Sequence, residues 1–115
     1  MELLNKSYVE NKKSKFYGYL YSITSEEDVN IILSELKKDN KTAKHFVYAY
    51  RLNNIERKNE DKEPSGTAGM PLLDILKIKE LNNTLIVVVR YFGGTLLGRG
   101  LLTRSYRETA SKLFE

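Results

Sequence analysis

The chain contains no cysteine. That excludes a disulfide scaffold, a thiolate metal site and a cysteine nucleophile together, and it suits a reducing compartment. Histidine is nearly absent as well. His45 stands alone, so a zinc site has too few ligands to draw on. Long apolar runs are also missing. The longest, Leu85 to Val89, is far too short to cross a bilayer, and the N-terminus shows no basic-then-apolar leader. The expected address is the cytoplasm, with no membrane partner. A large excess of one charge is lacking too: 19 basic residues face 15 acidic ones, a net +4 too small to establish nucleic-acid binding alone.

The distribution of charge says more than its sum. From Thr84 to Arg107 there are Arg90, Arg99, Arg104 and Arg107 and no acidic residue. The acids gather between Glu26 and Glu35 and between Glu56 and Glu63. A basic end and a mixed end on one small body are expected. At 115 residues the chain reads as a single domain over 1–115, since two independent cores do not fit. A domain of this size buries roughly two-thirds of its unfolded surface and needs no staples.

Periodicity gives the elements. Leu3 to Glu10 reads as a short strand, and Asn11 to Lys13 as a polar turn. Ser14 to Ile23 alternates, with Lys15, Tyr17, Tyr19, Tyr21 and Ile23 on one face and Phe16, Gly18, Leu20 and Ser22 on the other. A first helix follows over about Ser25 to Lys38, with Thr24 placed to cap it and Glu27 three residues on. Val29, Ile32, Leu33 and Leu36 form its apolar stripe. His45 to Leu52 is an aromatic-rich strand, Asn53-Asn54 a tight hairpin turn, and Ile55 to about Glu60 a charged return strand suited to an edge. Pro71 opens a second helix carrying Leu72, Ile75, Leu76 and Leu81. Leu85 to Val89 has the continuous β-branched pattern of a strand covered on both faces. A third helix sets Leu102, Tyr106, Thr109, Ala110 and Leu113 inward and Arg104 and Arg107 outward. This order predicts an α+β fold, a two-layer sandwich of a mixed sheet with the helices on one face.

Two glycine-rich loops carry the chemical information. One is Glu63-Pro64-Ser65-Gly66-Thr67-Ala68-Gly69, leading into the second helix. The other is Arg90-Tyr91-Phe92-Gly93-Gly94, continuing through Gly98-Arg99-Gly100 into the third. Converging backbone N–H groups at a helix start make an anion cradle, to which Arg90 and Arg99 add charge-assisted bonds. Equally, the glycines can serve only tight turns and close packing. Neither loop is a nucleotide fingerprint. A Lys-Ser/Thr pair is missing after Gly98, and Thr103 stands where a dinucleotide motif needs its third glycine.

Catalytic residues are scarce. His45 reads as a structural residue. Asp61 and Glu63 could hold magnesium or work as a carboxylate pair, but read more simply as solvated loop charges. Ser65 and Thr67 have no identifiable base and read as turn hydroxyls. No catalytic residue, metal or cofactor is assigned. The rows Tyr17, Tyr19, Tyr21 and Tyr48, Tyr50 suit three uses: core, protein contact, or stacking of nucleobases.

Together the segments resemble the IMPACT family, which includes bacterial YigZ-type proteins. The resemblance rests on Ser14-Lys15-Phe16; Ala43 and His45 before Tyr48-Ala49-Tyr50-Arg51; Glu63 to Gly69 with Pro71; and Arg90 to Gly94 with Leu97-Gly98, Arg104 and Tyr106. Lys62, Met70 and Leu101 depart from the family pattern. The resemblance implies an architecture similar to the second domain of a small-subunit ribosomal protein, to GHMP kinases and to domain IV of elongation factor G. It also implies a link to translation, since eukaryotic members restrain the amino-acid-starvation response by competing for a coactivator of the initiation-factor kinase. Those members carry an extra N-terminal domain, and bacterial ones append a ferredoxin-like C-terminal domain. This chain reads as either a minimal prokaryotic member or one domain of a longer protein.

The leading expectation is thus a binding module in translation, more a binder than an enzyme, contacting RNA, the ribosome or a regulatory protein. Its site would comprise Arg90, Arg99, Arg104, Arg107, Gly93, Gly94 and Gly98, with Glu63, Ser65, Gly66, Thr67 and Gly69 from the other loop. The alternative is a small phosphate- or nucleotide-binding enzyme of GHMP-kinase-like architecture.

Overall fold

A computed structural model describes residues 1–115. The elements are β1 (Glu2–Asn11), β2 (Ser14–Ser22), α1 (Glu26–Asp39), β3 (His45–Leu52), β4 (Ile55–Asn59), α2 (Gly69–Ile78), β5 (Thr84–Tyr91) and α3 (Gly98–Lys112). The α+β class holds. The five strands form one sheet in the order β1-β2-β5-β3-β4, and every neighbouring pair is antiparallel. The expected mixed sheet is corrected here. β2 and β3, joined through α1, do run parallel to each other, but β5 inserts between them and runs against both.

A second correction concerns the helices, which cover both faces of the sheet. β5 is buried from Thr84 to Arg90, and its side chains alternate between two cores. Leu85, Val87 and Val89 pack with Val29, Ile32 and Leu36 of α1. Ile86 and Val88 pack with Phe16, Leu20, Val47 and Ala49 under Leu72, Leu76, Leu102 and Tyr106 of α2 and α3. A strand apolar at every position requires such two-sided cover, so one layer of helices could not have satisfied it.

The helix starts also differ from expectation. α1 is capped by Ser25, whose hydroxyl accepts from the Asp28 N–H at 3.2 Å, and Asp28 in turn accepts from the Thr24 N–H at 2.8 Å. The cap is thus Ser25 rather than Thr24, and Asp28 rather than Glu27 reaches back, to the N–H of the residue before the cap, a variant of the capping box. The Thr24 N–H and hydroxyl hold the Asp28 carboxyl below its ordinary pKa. α2 begins at Gly69, two residues before Pro71, and α3 takes in Gly98 and Gly100. Asn53 and Asn54 have φ of 51° and 65°, as a type I′ hairpin turn demands.

α1 packs over core residues of β5 and β3. The Tyr50 hydroxyl reaches Glu26 at its start, and the Tyr91 hydroxyl donates to Asn40 just past its end at 2.6 Å. Tyr17, Tyr19, Tyr21 and Tyr48 lie on this same face, half-buried at the margin of the α1 core. No helix is long and apolar enough to cross a membrane.

Candidate functional site

Antiparallel order gathers the informative segments at one end of the sheet. The end of β5, the start of β3, the end of β4, the β1–β2 turn and the first turns of α2 and α3 all meet there. The two glycine-rich loops come together at that end, and what joins them lies inside the protein.

The centre of the junction is Glu63, whose side chain is 4% exposed. Its Oε2 accepts from Arg90 Nη1 at 2.7 Å and from the Tyr106 hydroxyl at 2.6 Å. Its Oε1 lies 3.4 Å from His45 Nε2. His45 Nδ1 sits 2.7 Å from the Asp61 carbonyl, so both ring nitrogens face acceptors. Arg90 also contacts the Ser14 hydroxyl and lies over the Phe16 ring, 5.5 Å from its centroid. The network is costly as well as cohesive: Arg90 Nε is buried without a hydrogen-bond partner. Burial first, then the charge and hydrogen bond of Glu63, push the Tyr106 hydroxyl well above its ordinary pKa, with Arg90 pulling partly back.

This geometry revises three sequence expectations. Arg90 is buried and engaged by Glu63, so it cannot serve as an exposed ligand for an anion. Glu63 is not a solvated loop charge, and Asp61, still 38% exposed, is tied to the backbone of β3. The Asp61 carboxylate accepts from the Phe46 N–H at 2.6 Å, fixing the first residues of β3, and Glu63 is the buried hub. With Arg90 and Tyr106 on one oxygen and His45 facing the other, Glu63 has no free edge for magnesium. His45 is a hydrogen-bonded structural residue, as read.

The first loop is an anion cradle that is already filled. The N–H groups of Ala68, Gly69 and Met70 point at Glu60, with N···O distances of 2.8, 2.7 and 3.1 Å. A carboxylate of the chain therefore occupies the position a phosphate would take at the start of α2. The Thr67 hydroxyl closes its own turn on the Pro64 carbonyl. Gly69 is buried against the Asn59 backbone, while Ser65 and Gly66 remain exposed. Glu60 escapes sequence reasoning because it lies just past β4, eight residues before the first amide it caps. No local capping spacing marks it. The periodicity places Tyr106 in the core, where it lies, and no local pattern signals its bond to Glu63.

The second loop is open. Gly94 and Gly98 adopt φ of 93° and 75°, and α3 starts without a side-chain cap. Gly93 is there for proximity: a Cβ on it would come within 2.2 Å of the Lys13 carbonyl carbon, so the loop presses directly on the β1–β2 turn. Arg99 is exposed and donates to the Ser65 carbonyl at 2.7 Å, bridging the two loops from outside. Arg104, exposed, lies near Gly100 in the first turn of α3. Arg107 is exposed two turns along α3, in a groove shared with Asp74, Lys77 and Lys79 of the α2 side. The four arginines therefore do not form one cluster. Arg99 and Arg104 stay with the loops, Arg107 is displaced, and Arg90 is inside.

Comparison with known proteins places the chain in a family. The Bacillus subtilis (strain 168) IMPACT family member YvyE is 39% identical over 104 residues, covering 88% of this chain and 48% of the relative. A Haemophilus influenzae IMPACT family member is 37% identical over 114 residues, covering 92% of this chain and 55% of its own. Protein IMPACT of Oryctolagus cuniculus is 34% identical over 96 residues, 78% of this chain and 30% of that protein. The chain thus spans about half the length of the two bacterial relatives. A crystal structure of a hypothetical protein superposes with a TM-score of 0.89 at 28% identity, covering 99% of this chain and 61% of the other. The two-domain translational regulator Yih1 shares the fold at a TM-score of 0.54 and 24% identity, over 96% of this chain and 46% of Yih1. Residues 12–114 match the family described as the Impact N-terminal domain, and the chain belongs to that family.

Proposed function

We propose that this chain is a translation-linked binding module, and that it contacts RNA, on the ribosome or free, through the exposed end where Arg99 and Arg104 flank the two glycine loops. The observation that carries the reading is the division of charge. The acids near the loops are engaged within the chain, Glu63 by Arg90 and Tyr106 and Glu60 by the α2 amides. The cations Arg99, Arg104 and Arg107 face solvent without a carboxylate partner. Exposed unpaired guanidinium groups beside small, open backbone suit phosphate oxygens. The link to translation comes from family membership and extends to the whole protein only as part of this proposal, since the chain is about half of its bacterial relatives. The GHMP-kinase-like alternative calls for an open cradle, and at α2 that cradle holds Glu60.

An anisotropy titration of structured RNA across salt concentrations tests the proposal. Affinity falls steeply as salt rises, because phosphate contacts release counterions. The double substitution Arg99→Ala, Arg104→Ala weakens binding across sequences and lowers the salt slope by about 2, one per phosphate contact. An absence of binding at low salt overturns the RNA reading.

A further inference from the structure

On the α1 face of the sheet, the half formed by β1 and β2 is not covered by a helix, and its side chains make a continuous lysine-rimmed aromatic surface. One groove of about 750 Å3 is lined by Glu10, Lys13, Lys15, Tyr17, Tyr19, Asn40, Tyr91 and Phe92. A second of about 340 Å3 adjoins it across Tyr17 and Tyr19, and adds Lys6 and Tyr8. The register explains the continuity. Lys6 pairs with Tyr19, Tyr8 with Tyr17, Glu10 with Lys15, and Lys15 with Tyr91, so alternate residues of three strands share the face.

We infer that this surface binds single-stranded RNA, with bases on the rings of Tyr17, Tyr19, Tyr91 and Phe92 and phosphates along Lys12, Lys13 and Lys15. The inference rests on the reading that the domain binds RNA, and names the form of RNA and the place. Three observations carry it. First, the groove's apolar residues are all aromatic, which suits stacked bases, and they are interleaved with lysine, which is depleted at the centres of protein interfaces and favours an RNA strand over a protein. Second, the charges are available. Lys12, Lys13 and Lys15 are exposed and form no ion pair, whereas the one acid on the floor, Glu10, accepts from the Tyr8 hydroxyl at 2.6 Å.

Third, the β1–β2 turn holds its lysines against backbone preference. Lys12 and Lys13 have φ of 47° and 69°, the type I′ geometry that favours Asn-Gly. The other hairpin of the same sheet meets the same demand with Asn53 and Asn54. A turn that holds lysine in left-handed geometry, with Lys13 lining the groove and Lys12 next to it in the chain, points to use of the cations. Phe92, 47% exposed, stands at the same mouth, where Gly93 presses the loop onto Lys13. Duplexes hide their base faces, which makes the occupant single-stranded.

The test uses a labelled oligonucleotide of about ten nucleotides, the same sequence as a duplex, and a labelled acidic, aromatic peptide. The single strand binds more tightly than the duplex or the peptide. The swap Lys12→Asn, Lys13→Gly keeps or raises the melting temperature, because the turn becomes an easier one, yet weakens the single strand several-fold and flattens its salt slope. Phe92→Ala weakens it about tenfold through lost stacking. Single-strand affinity unchanged by both variants overturns the inference, as does preference for duplex or for peptide. If structured RNA still binds and responds to Arg99→Ala, Arg104→Ala, the groove alone has failed. If no RNA binds, both readings fall together.

Discussion

The two glycine-rich loops look alike in sequence and have opposite fates in the fold. Each leads small residues into a helix start, where unpaired backbone N–H groups and the helix dipole attract an anion. At α2 the chain supplies that anion itself: Glu60 reaches across from β4 and accepts from three consecutive amides. At α3 no side chain caps the start, and the glycines stay exposed next to Arg99. The closed loop is an internal brace, tied through Glu63 to Arg90 and Tyr106; the open one faces outward. A glycine-rich approach to a helix therefore does not identify a ligand site until the nearest carboxylate has been located.

The comparison breaks most violently at Glu63. Glu63→Ala leaves the Arg90 guanidinium buried without its carboxylate and removes the acceptor of Tyr106. Stripping one partner from a buried ion pair costs about 3–5 kcal/mol, so urea denaturation should show a midpoint far below the wild type or a chain that does not fold. A loss under about 1 kcal/mol, within the range of exposed pairs, means that the junction is not the brace described. Glu60→Ala sharpens the contrast at smaller cost. Losing a helix-start acceptor destabilises by about 1–2 kcal/mol, and it empties the cradle. Sulfate or phosphate should then raise the melting temperature of this variant by mass action, beyond the general salt effect on wild type. Equal responses of the two proteins would show that Glu60 does not occupy an anion position.

Much of this fold was written in short-range pattern. The spacing of Val29, Ile32 and Leu36 gave α1, and Asn53-Asn54 gave its turn. The apolar run of β5 announced cover on both faces, and the one-sided arrangement failed because it ignored that demand. Arg90 was legible too, by strand parity. It shares a side of β5 with Ile86 and Val88, which points it under α2 and α3 and away from solvent. Its partner was not legible. Glu63 lies 27 residues earlier in a loop whose path depends on tertiary closure, and Glu60 caps amides across a turn. The lysine-tyrosine surface was half visible: the Tyr17, Tyr19 alternation was plain, but its exposure depended on which strands α1 crosses. Local period fixes the face a side chain takes, and only the packing of other elements decides whether that face is wet.

The mildest test of the junction lies with Tyr106, the tie from α3 to Glu63. At neutral pH, Tyr106→Phe removes one hydrogen bond, and because Glu63 keeps Arg90 the loss is held to about 1 kcal/mol. The informative difference appears in alkali. The folded pKa of Tyr106 lies above the unfolded value of about 10, raised by burial and by Glu63. A raised pKa means that the native state holds its proton where the unfolded chain releases one. Stability from this group is complete below about pH 10 and falls as pH climbs from there towards the folded pKa. Tyr8, Tyr19, Tyr21, Tyr50 and Tyr91 are also shifted upward, so wild type and variant both weaken in alkali. The variant's curve should be the shallower of the two. Parallel curves would mean that Tyr106 ionises as readily in the fold as out of it, which a hydroxyl buried against Glu63 cannot do.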